Sequence, residues 1–431
     1  MNKLLLPGLR FKRWILLTLV GFLALAIFFV LAFGDELLLL FQIIDIQLAK
    51  IFNLEPGAIT IKLIIEILLF IGGLVFVVIG LKRIGSFFID TLMPEKKGKI
   101  AHLLYKSAQL KQAPNIVTVG GGTGLFSLLT GLKRYTNNIS SIVTMSDMGS
   151  RTHTSTGRLR ADFDMLPPGD VRQCLVALSD SGQLMSDVLQ YRFKEGTGLK
   201  GHAFGNILLT VLTKVTGSFE KAMAAAHHIL AIRGKVIPVT LDNVHLCARL
   251  ENGKIVKREH HVEESKRKYG TEIKELFLEP RAHATKEAIK ALKEADLIVL
   301  GPGSLYTSII PNLLVDGIPE AIRASKAKKV YICNVMTQPG ETDDYTASDH
   351  MSKIVHYLGE NVLDGIIVNT ARAPEHLYKK YKKEGARRVK FDEYDMKRFN
   401  AKIVKADLMT TKNLLRHDPE KLAKTILRLC E

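Results

Sequence analysis

Aromatic residues are scarce in this chain of 431 residues. Phe, Trp and Tyr make up only 7% of the sequence, and no stretch interleaves them with basic residues as an RNA-stacking surface would. The net charge of +17 therefore does not indicate nucleic-acid binding. It leaves an anionic membrane surface or an acidic ligand as the expected partner.

Cysteine is also rare, and its spacing excludes two kinds of site. The four cysteines are far apart and include no CxxC pair: Cys174, Cys247, Cys333 and Cys430. Neither a zinc knuckle nor a disulfide framework is therefore indicated. Thiols of this kind suit the reducing conditions of a cytosol.

Two phosphate-binding signatures are incomplete in the glycine-rich stretch 115–133, NIVTVGGGTGLFSLLTGLK. A dinucleotide fingerprint needs a third glycine where Leu125 stands, and the Gly-Lys-Ser/Thr of a Walker A loop is absent. What remains is a buried strand at 116–119, a glycine turn, and a helical pattern from Leu125 onward. Backbone N–H groups of such a turn bind phosphate, but a tight turn without a ligand has the same pattern.

Charge is nearly missing from two long runs near the N terminus. Residues 14–33 have about the length that spans a bilayer as a helix, and residues 59–81 are interrupted only by Lys62 and Glu66. Basic residues lie before the first run and after the second, whereas the segment between the runs is mainly acidic. By the positive-inside rule, both ends of this hairpin are expected in the cytoplasm.

The segment between the two runs, residues 37–52, is apolar with spaced polar side chains and is predicted to lie in the outer membrane interface. We therefore predict a two-helix transmembrane hairpin over residues 1–90, a linker over 91–113 and one large domain over 114–431. The expected location is the cell membrane, crossed twice, with the large domain in the cytoplasm.

Beyond residue 114, short apolar runs alternate with helical periodicity, which is typical of an α/β domain. Buried strands are predicted at 116–119, 141–145, 296–300, 329–334 and 364–369, and the last of these is the last clear strand. A strand, a glycine turn, a helix and a second strand open a doubly wound, mostly parallel, Rossmann-like sheet. Residues 253–279 are rich in charge and are predicted as a solvated hairpin or insertion.

Charged side chains follow the second predicted strand and open a later helix. Asp147 ends the strand, where an acid binds a ribose hydroxyl, holds a metal or is simply solvated. Asp170 follows Pro-Pro-Gly and can cap a helix. Arg172 lies in the first turn of that helix, where a cation opposes the helix dipole unless it reaches an acid or a phosphate.

Three further features extend the candidate site. His202 and Asn206 are four residues apart where an apolar helix begins, so they are predicted to share one face. Two roles are open for His202: it caps the helix, or it acts as a proton donor or phosphate ligand. A second glycine turn, 301–303, follows a strand and continues into hydroxyl side chains. Near the C terminus, Arg416 and His417 either face a ligand or cap a helix.

Six sequence blocks, taken together, resemble a known family. They read VTVGGGTG, GRLR, LPPGDVRQCLVALSD, GHAFGN, LGPGSLYTSIIPNLLV and CNVMTQPGETDDYTASDH, in this order from about residue 116. They are similar to the YvcK-like gluconeogenesis factors, which are related to the CofD-like 2-phospho-L-lactate transferases. The resemblance implies a Rossmann-like domain that binds a UDP-sugar, in particular UDP-N-acetylglucosamine, and that regulates cell-wall precursor metabolism and cell shape.

Two functions of different classes follow from the resemblance. A regulator would bind the nucleotide sugar without a required cofactor and without turnover. A transferase would move a phospholactyl-type group to a deazaflavin or a similar acceptor, with magnesium. The family's paired acids are reduced here to Asp147, because Met148 takes the second position and residues 151–154 lengthen the loop. No metal site is therefore predicted, and the regulator is favoured.

The family motifs, matched residue by residue, imply one ligand site and identify no catalytic residue. The implied ligand-binding residues are Gly121, Gly122, Thr123, Gly124, Asp147, Gly157, Arg158, Asp170, Arg172, His202, Asn206, Gly303, Ser304, Asn334 and Arg416. Besides the nucleotide sugar, the implied partners are the membrane, a second copy of the chain and cell-wall synthesis proteins, and the sequence leaves the last two open.

Overall fold

The computed structural model describes residues 12–33, 43, 46–47, 50, 61–92, 110, 113–146, 154–263, 265–410 and 414–430. The chain divides into two compact units, Met1–Lys106 and Ser107–Glu431. The boundaries predicted from the sequence, after residues 90 and 113, stay predictions. The linker 91–113 and the interfacial segment 37–52 lie mostly outside the described residues.

Two long helices form the described part of the first unit. α1 (Lys12–Phe33) and α2 (Ile61–Leu92) pack along each other. They approach closely at glycines, because a Cβ atom on Gly21 would lie only 2.8 Å from the carbonyl oxygen of Gly73. Small residues at such a crossing are typical of helices that pack inside a membrane.

Helix length supports one of the two predicted membrane spans. Among the described residues, one helix is long and apolar enough to cross a bilayer, the stretch Ile67–Phe87 within α2. The apolar stretch of α1, Trp14–Val30, is shorter. The two-span prediction is therefore supported for α2 and not for α1.

The second unit contains strands and helices in alternation. Its strands are β1 (Ile116–Gly120), β2 (Ile139–Val143), β3 (Lys235–Pro238), β4 (His245–Leu250), β5 (Ile255–Lys257), β6 (Ile273–Glu279), β7 (Leu297–Leu300), β8 (Lys328–Ile332), β9 (Gly365–Asn369), β10 (Lys402–Ala406), β11 (Met409–Thr410) and β12 (Arg416–His417).

Its helices lie between these strands. They are α3 (Gly122–Leu132), α4 (Ser155–Phe163), α5 (Gly169–Leu178), α6 (Gly182–Gln190), α7 (Phe204–Thr216), α8 (Phe219–Ile229), α9 (Glu259–Glu263), α10 (Ser265–Tyr269), α11 (Lys286–Lys293), α12 (Ile310–Leu313), α13 (Ile318–Ala324), α14 (Ala347–Leu358), α15 (Glu375–Lys383), α16 (Glu393–Met396) and α17 (Pro419–Leu427), with a π-helix at Leu305–Ile309.

Seven parallel strands form the central sheet, in the order β3-β2-β1-β7-β8-β9-β10. The order reverses at β1, which pairs with β2 on one side and with β7 on the other. This is the order of a doubly wound Rossmann-like sheet with one more strand at its edge. The α/β, Rossmann-like prediction is confirmed, and every pairing in this sheet is parallel.

The sequence patterns predicted the inner strands and missed one at the edge. β2 spans Ile139–Val143, two residues earlier than the predicted 141–145. The prediction that 364–369 is the last clear strand is wrong, because β10 pairs with β9 beyond it. β10 reads KIVKA and is only partly buried, so it lacks the continuous apolar run of a central strand.

A small antiparallel sheet accounts for the charged stretch 253–279. β4, β5 and β6 pair in the order β5-β4-β6. The stretch supplies two of these strands and the short helices α9 and α10. Val262 in α9 is completely buried in the main core, so this insertion is partly integrated into the fold rather than fully solvated.

Helix α3 connects the first glycine turn to the core. Its apolar stripe, Leu125, Leu128, Leu129 and Leu132, is completely buried, as the helical spacing predicts. The helix contacts α5 and the C-terminal helix α17. Gly131 lies at the second contact, where a Cβ atom would overlap the carbonyl oxygen of Pro419.

We expect Gly131→Ala to destabilise the protein, although alanine normally favours a helix over glycine. The added methyl group has no space against the backbone of Pro419, and overpacking of this kind costs about 1–3 kcal/mol. The measurement is the free energy of unfolding of the full chain. Thr130→Ala in the same helix is the control, because the Thr130 hydroxyl donates to the carbonyl of Phe126 in its own helix. Equal stability of both variants would contradict this packing.

We also expect His417 to make stability depend on pH. Burial lowers the pKa of His417 from its ordinary 6.5 to about 4 in the folded protein. Between these values the unfolded chain binds the proton more readily, so stability present above pH 6.5 is lost as the pH falls toward 4. The loss approaches about 3 kcal/mol.

His417→Gln should therefore flatten the profile of melting temperature against pH in this range. His376→Gln, which removes an exposed imidazole, is the matched control and should leave the profile unchanged. A slope that is identical in the wild type and His417→Gln would show that this side chain does not carry the effect.

Candidate functional site

The two glycine turns predicted from the sequence meet at the point where the strand order reverses. A Cβ atom on Gly124 would lie 2.5 Å from the carbonyl oxygen of Pro302 and 3.0 Å from the Cα of Gly303. A Cβ atom on Gly303 would lie 3.3 Å from the carbonyl oxygen of Gly121. The turns after β1 and β7 therefore pack backbone against backbone, and side chains are excluded between them.

The start of helix α3 is open toward this junction. Gly121 is its N-cap residue and offers no side-chain acceptor to the first N–H groups. Unpaired N–H groups and the helix dipole attract an anion at such an end. Gly122 has a φ of +65°, which favours glycine over any residue with a Cβ atom.

Asp170 closes one side of the first turn. A Cβ atom on Gly121 would overlap the Oδ2 atom of Asp170, so the carboxylate lies directly against the turn. Its predicted role as a helix cap is wrong, because Pro168 is the N-cap residue of α5 and Asp170 lies inside the first turn. The aspartate carboxylate lies against the glycine turn.

A cavity of about 510 Å³ lies at the junction of the turns. This volume is within the range of small-molecule binding sites, about 300–1,000 Å³. Nine of the predicted ligand-binding residues line it: Gly121, Gly122, Thr123, Gly124, Asp170, Gly303, Ser304, Asn334 and Arg416. The structure thus brings most of the predicted site together, with Arg416 contributed by the distant strand β12.

The second turn continues into a π-helix that directs hydroxyl groups toward the cavity. Ser304 accepts hydrogen bonds from the backbone N–H of Thr307 (3.2 Å) and from its hydroxyl (2.7 Å). Ser304 in turn donates to Glu341 Oε2 at 2.6 Å. Thr307 and Ser308 both line the cavity, and π-helical turns occur frequently at functional sites.

Of the six other predicted residues, Asp147 lies outside the described residues and five do not line this cavity. Three of these five, Arg172, His202 and Asn206, belong to one hydrogen-bond network. Arg172 Nε donates to Asn206 Oδ1 (2.9 Å), and Asn206 Nδ2 donates to Ser155 Oγ (3.1 Å). Ser155 Oγ also accepts from the backbone N–H of Ala203, so its proton is directed to His202 Nδ1 at 3.2 Å. Burial, assisted by the nearby Arg158, lowers the pKa of His202, which keeps this acceptor neutral.

The predicted shared helix face of His202 and Asn206 is wrong, although the two residues do come together. Helix α7 begins at Phe204, so His202 precedes it and only Asn206 lies on it. Their common contact is Ser155, a residue that the sequence motifs did not identify. Gly157 donates its N–H to the cap residue Thr154 (3.1 Å).

Arg172 is a buried cation whose side chain bonds to a neutral amide. Burial, followed by repulsion from Arg192, lowers the pKa of its guanidinium to about 10, so the charge is still present at neutral pH. The stem of Arg172 lies over Gly205, where a Cβ atom would be 2.7 Å from its Cδ. Among the described residues Arg172 forms no ion pair, and its side chain bonds to the neutral amide of Asn206. The prediction that it reaches an acid or a phosphate stays a prediction. Arg158 donates to the carbonyl of Lys200 at 2.6 Å.

Whether the site can hold a metal ion depends on residues that are not described. Asp147 and Met148 lie in the stretch 147–153, outside the described residues. Within the described part of the chain, no group of three or more His, Cys, Asp or Glu side chains could hold a metal ion. The prediction of a metal-free site therefore stays a prediction.

Sequence reasoning missed several polar residues at the site, among them Glu259, which lines the cavity, and Glu341, which accepts a hydrogen bond from Ser304. His417, for which facing a ligand and capping a helix were both open, also lines the cavity. Glu341 lies in the acidic block PGETDD, so the sequence contained a feature that could have identified it as a site residue. Glu259 lies in the charged stretch that was interpreted as solvated, and its sequence gives no indication of the site.

Known proteins resemble the chain in sequence. A profile of the family described as "2-phospho-L-lactate transferase CofD" matches residues 116–409. A gluconeogenesis factor of Bacillus subtilis is 44% identical over 320 residues, which are 74% of this chain and 98% of that protein. A Clostridium acetobutylicum protein whose name also contains the words gluconeogenesis factor is 40% identical over 98% of this chain and 90% of its own.

Solved structures agree with this assignment. A crystal structure from Bacillus halodurans, described as a member of the upf0052 family, has a TM-score of 0.69 to this chain at 43% identity. It covers 73% of this chain and 99% of its own. With the parallel sheet, the paired glycine turns and the matched motifs, these similarities show that the chain belongs to the CofD family, among the YvcK-like gluconeogenesis factors.

Proposed function

We propose that this protein binds a UDP-sugar, specifically UDP-N-acetylglucosamine, in the cavity between the two glycine turns. The observation that carries the proposal is the meeting of two turns without side chains beside the open start of α3. One turn with N–H donors can bind one phosphate, and two adjacent turns offer room for a diphosphate. The cavity volume of about 510 Å³ leaves space for the remainder of a nucleotide sugar.

Polar groups around the turns support an anionic ligand with hydroxyl groups. Arg416 lines the cavity and can form a charge-assisted hydrogen bond to phosphate. Ser308 is close to the first turn, since a Cβ atom on Gly122 would lie 3.4 Å from its Oγ. Asn334 offers an amide that can donate to and accept from a base or a sugar.

We propose that binding serves regulation of cell-wall precursor metabolism and cell shape, without turnover. The names of the relatives support a factor, and the replacement of the second acid by Met148 weakens a magnesium site. The alternative is transfer of a phospholactyl-type group to a deazaflavin or similar acceptor, which the description of the family supports. That reaction would require an acceptor site and magnesium held through substrate phosphates.

We further propose that α1 and α2 anchor the protein in the cell membrane as a two-span hairpin. The stretch Ile67–Phe87 is long enough to cross, and α1 packs along α2 through glycines. Basic residues on the outer sides of the pair favour cytoplasmic ends. A second copy of the chain and cell-wall synthesis proteins are further proposed partners.

We expect UDP-N-acetylglucosamine to raise the melting temperature of the full chain in mild detergent. A ligand at about 100 times its Kd stabilises the folded state by about 2.7 kcal/mol. Gly122→Val should abolish this increase, because a β-branched residue does not adopt φ of +65° without strain and blocks approach of the phosphates. Thermal unfolding with and without ligand measures both effects.

Gly198→Val is the matched control for this experiment. Gly198 also has a positive φ, +84°, but no atom lies within 4 Å of its Cβ position and it does not line the cavity. The control should keep the ligand-induced increase. Stabilisation by a deazaflavin and by no UDP-sugar would contradict the proposal, and loss of UDP-sugar affinity in EDTA would favour the transferase.

For the membrane hairpin, we expect reporters at both ends of the chain to be cytoplasmic. Fusions before Met1 and after Glu431 should show activity of a reporter that folds only in the cytoplasm. An external N-terminal reporter with a cytoplasmic C-terminal one would show that only one of the two helices spans the membrane. An external C-terminal reporter would exclude the proposed orientation altogether.

A further inference from the structure

One carboxylate in the cavity wall comes from outside the parallel sheet. Glu259 is the first residue of helix α9, which follows strand β5 in the small antiparallel sheet. It lines the same cavity as the glycine turns and Arg416. Helix α9 contacts the π-helix that follows the second turn, so the insertion is joined to the site directly.

The backbone before Glu259 has an unusual conformation that is fixed from several sides. Arg258 has a φ of +82°, in the left-handed region that residues with a Cβ atom rarely adopt. Its N–H donates to the carbonyl of Leu246 (2.8 Å), and its own carbonyl accepts from the N–H of Val262 (3.0 Å). Val262 is completely buried. Such conformations persist where the surrounding structure determines them, and they concentrate at functional sites.

A carboxylate at this position favours hydrogen-bond donors of a ligand over its anionic groups. It repels phosphate oxygens, for which the start of α3 and Arg416 provide the donors. It accepts hydrogen bonds from hydroxyl and amide N–H groups. Acids in dinucleotide-binding folds recognise ribose hydroxyls in the same way. An N-acetylhexosamine carries both kinds of donor, whereas the diphosphate carries neither.

We propose that Glu259 binds donor groups of the ligand's sugar and thereby sets the preference for a nucleotide sugar over the corresponding nucleotide. This inference rests on the proposed function, since it assumes that the cavity holds a nucleotide sugar. It assigns the charged insertion a role in specificity, and it places the sugar on the side of the cavity nearest α9.

The test compares UDP-N-acetylglucosamine with UDP by isothermal titration on the full chain. Glu259→Gln keeps the shape of the side chain and removes its charge. Affinity for UDP-N-acetylglucosamine should fall about 10-fold or more, the effect of losing a hydrogen bond to a charged group, while affinity for UDP should stay within about two-fold. Glu251→Gln is the matched control, because Glu251 is exposed in the turn between β4 and β5 of the same small sheet and does not line the cavity.

Folding of the variant is checked by its melting temperature without ligand. Arg258→Gly is a second variant, since glycine adopts the φ of +82° freely and should keep Glu259 in place and sugar affinity intact. Unchanged sugar affinity in Glu259→Gln, or equal losses for UDP and the UDP-sugar, would overturn the inference while leaving the proposed function in place. A wild-type chain that binds neither ligand would overturn both.

Discussion

The contact between the backbones of two glycine turns is the constraint on which the site depends. β1 and β7 are neighbours in the sheet, and each ends in a turn that must pass close to the other. Asn312 fixes this arrangement, because its Nδ2 group donates to the carbonyls of Gly120 (3.2 Å) and Ser308 (2.8 Å). One amide thus holds the first turn and the π-helix after the second turn in a common position.

Helix α5 joins the cavity to the buried polar network. Its first turn presents Asp170 to the glycine turn, and two residues later Arg172 enters the network with Asn206 and Ser155. These hydrogen bonds join residues from three helices, α4, α5 and α7. A buried network of this kind fixes the relative positions of its helices, and loss of one member leaves a buried polar atom with an unmade hydrogen bond.

Much of the fold and about half of the site could be predicted from the sequence, for identifiable physical reasons. A buried parallel strand followed by glycines and a leucine stripe has one common structural solution, so β1, its turn and α3 were predictable. The sequence could not show that His202 and Asn206 meet at Ser155, because that contact depends on where α7 begins and on the position of α4. Glu259 was not predictable, since a charged run looks solvated until Val262 is seen to anchor it in the core.

The two outer strands of the large sheet determine how it can meet other molecules. At one edge, β10 exposes Lys402 and Lys405. At the other edge, β3 begins with the exposed Lys235 and ends with Pro238, which has no N–H group. Lysine and proline at sheet edges oppose the addition of a further strand and protect against aggregation. Self-association of this domain should therefore use helical faces or loops, and continuous sheets running from one molecule into the next are disfavoured.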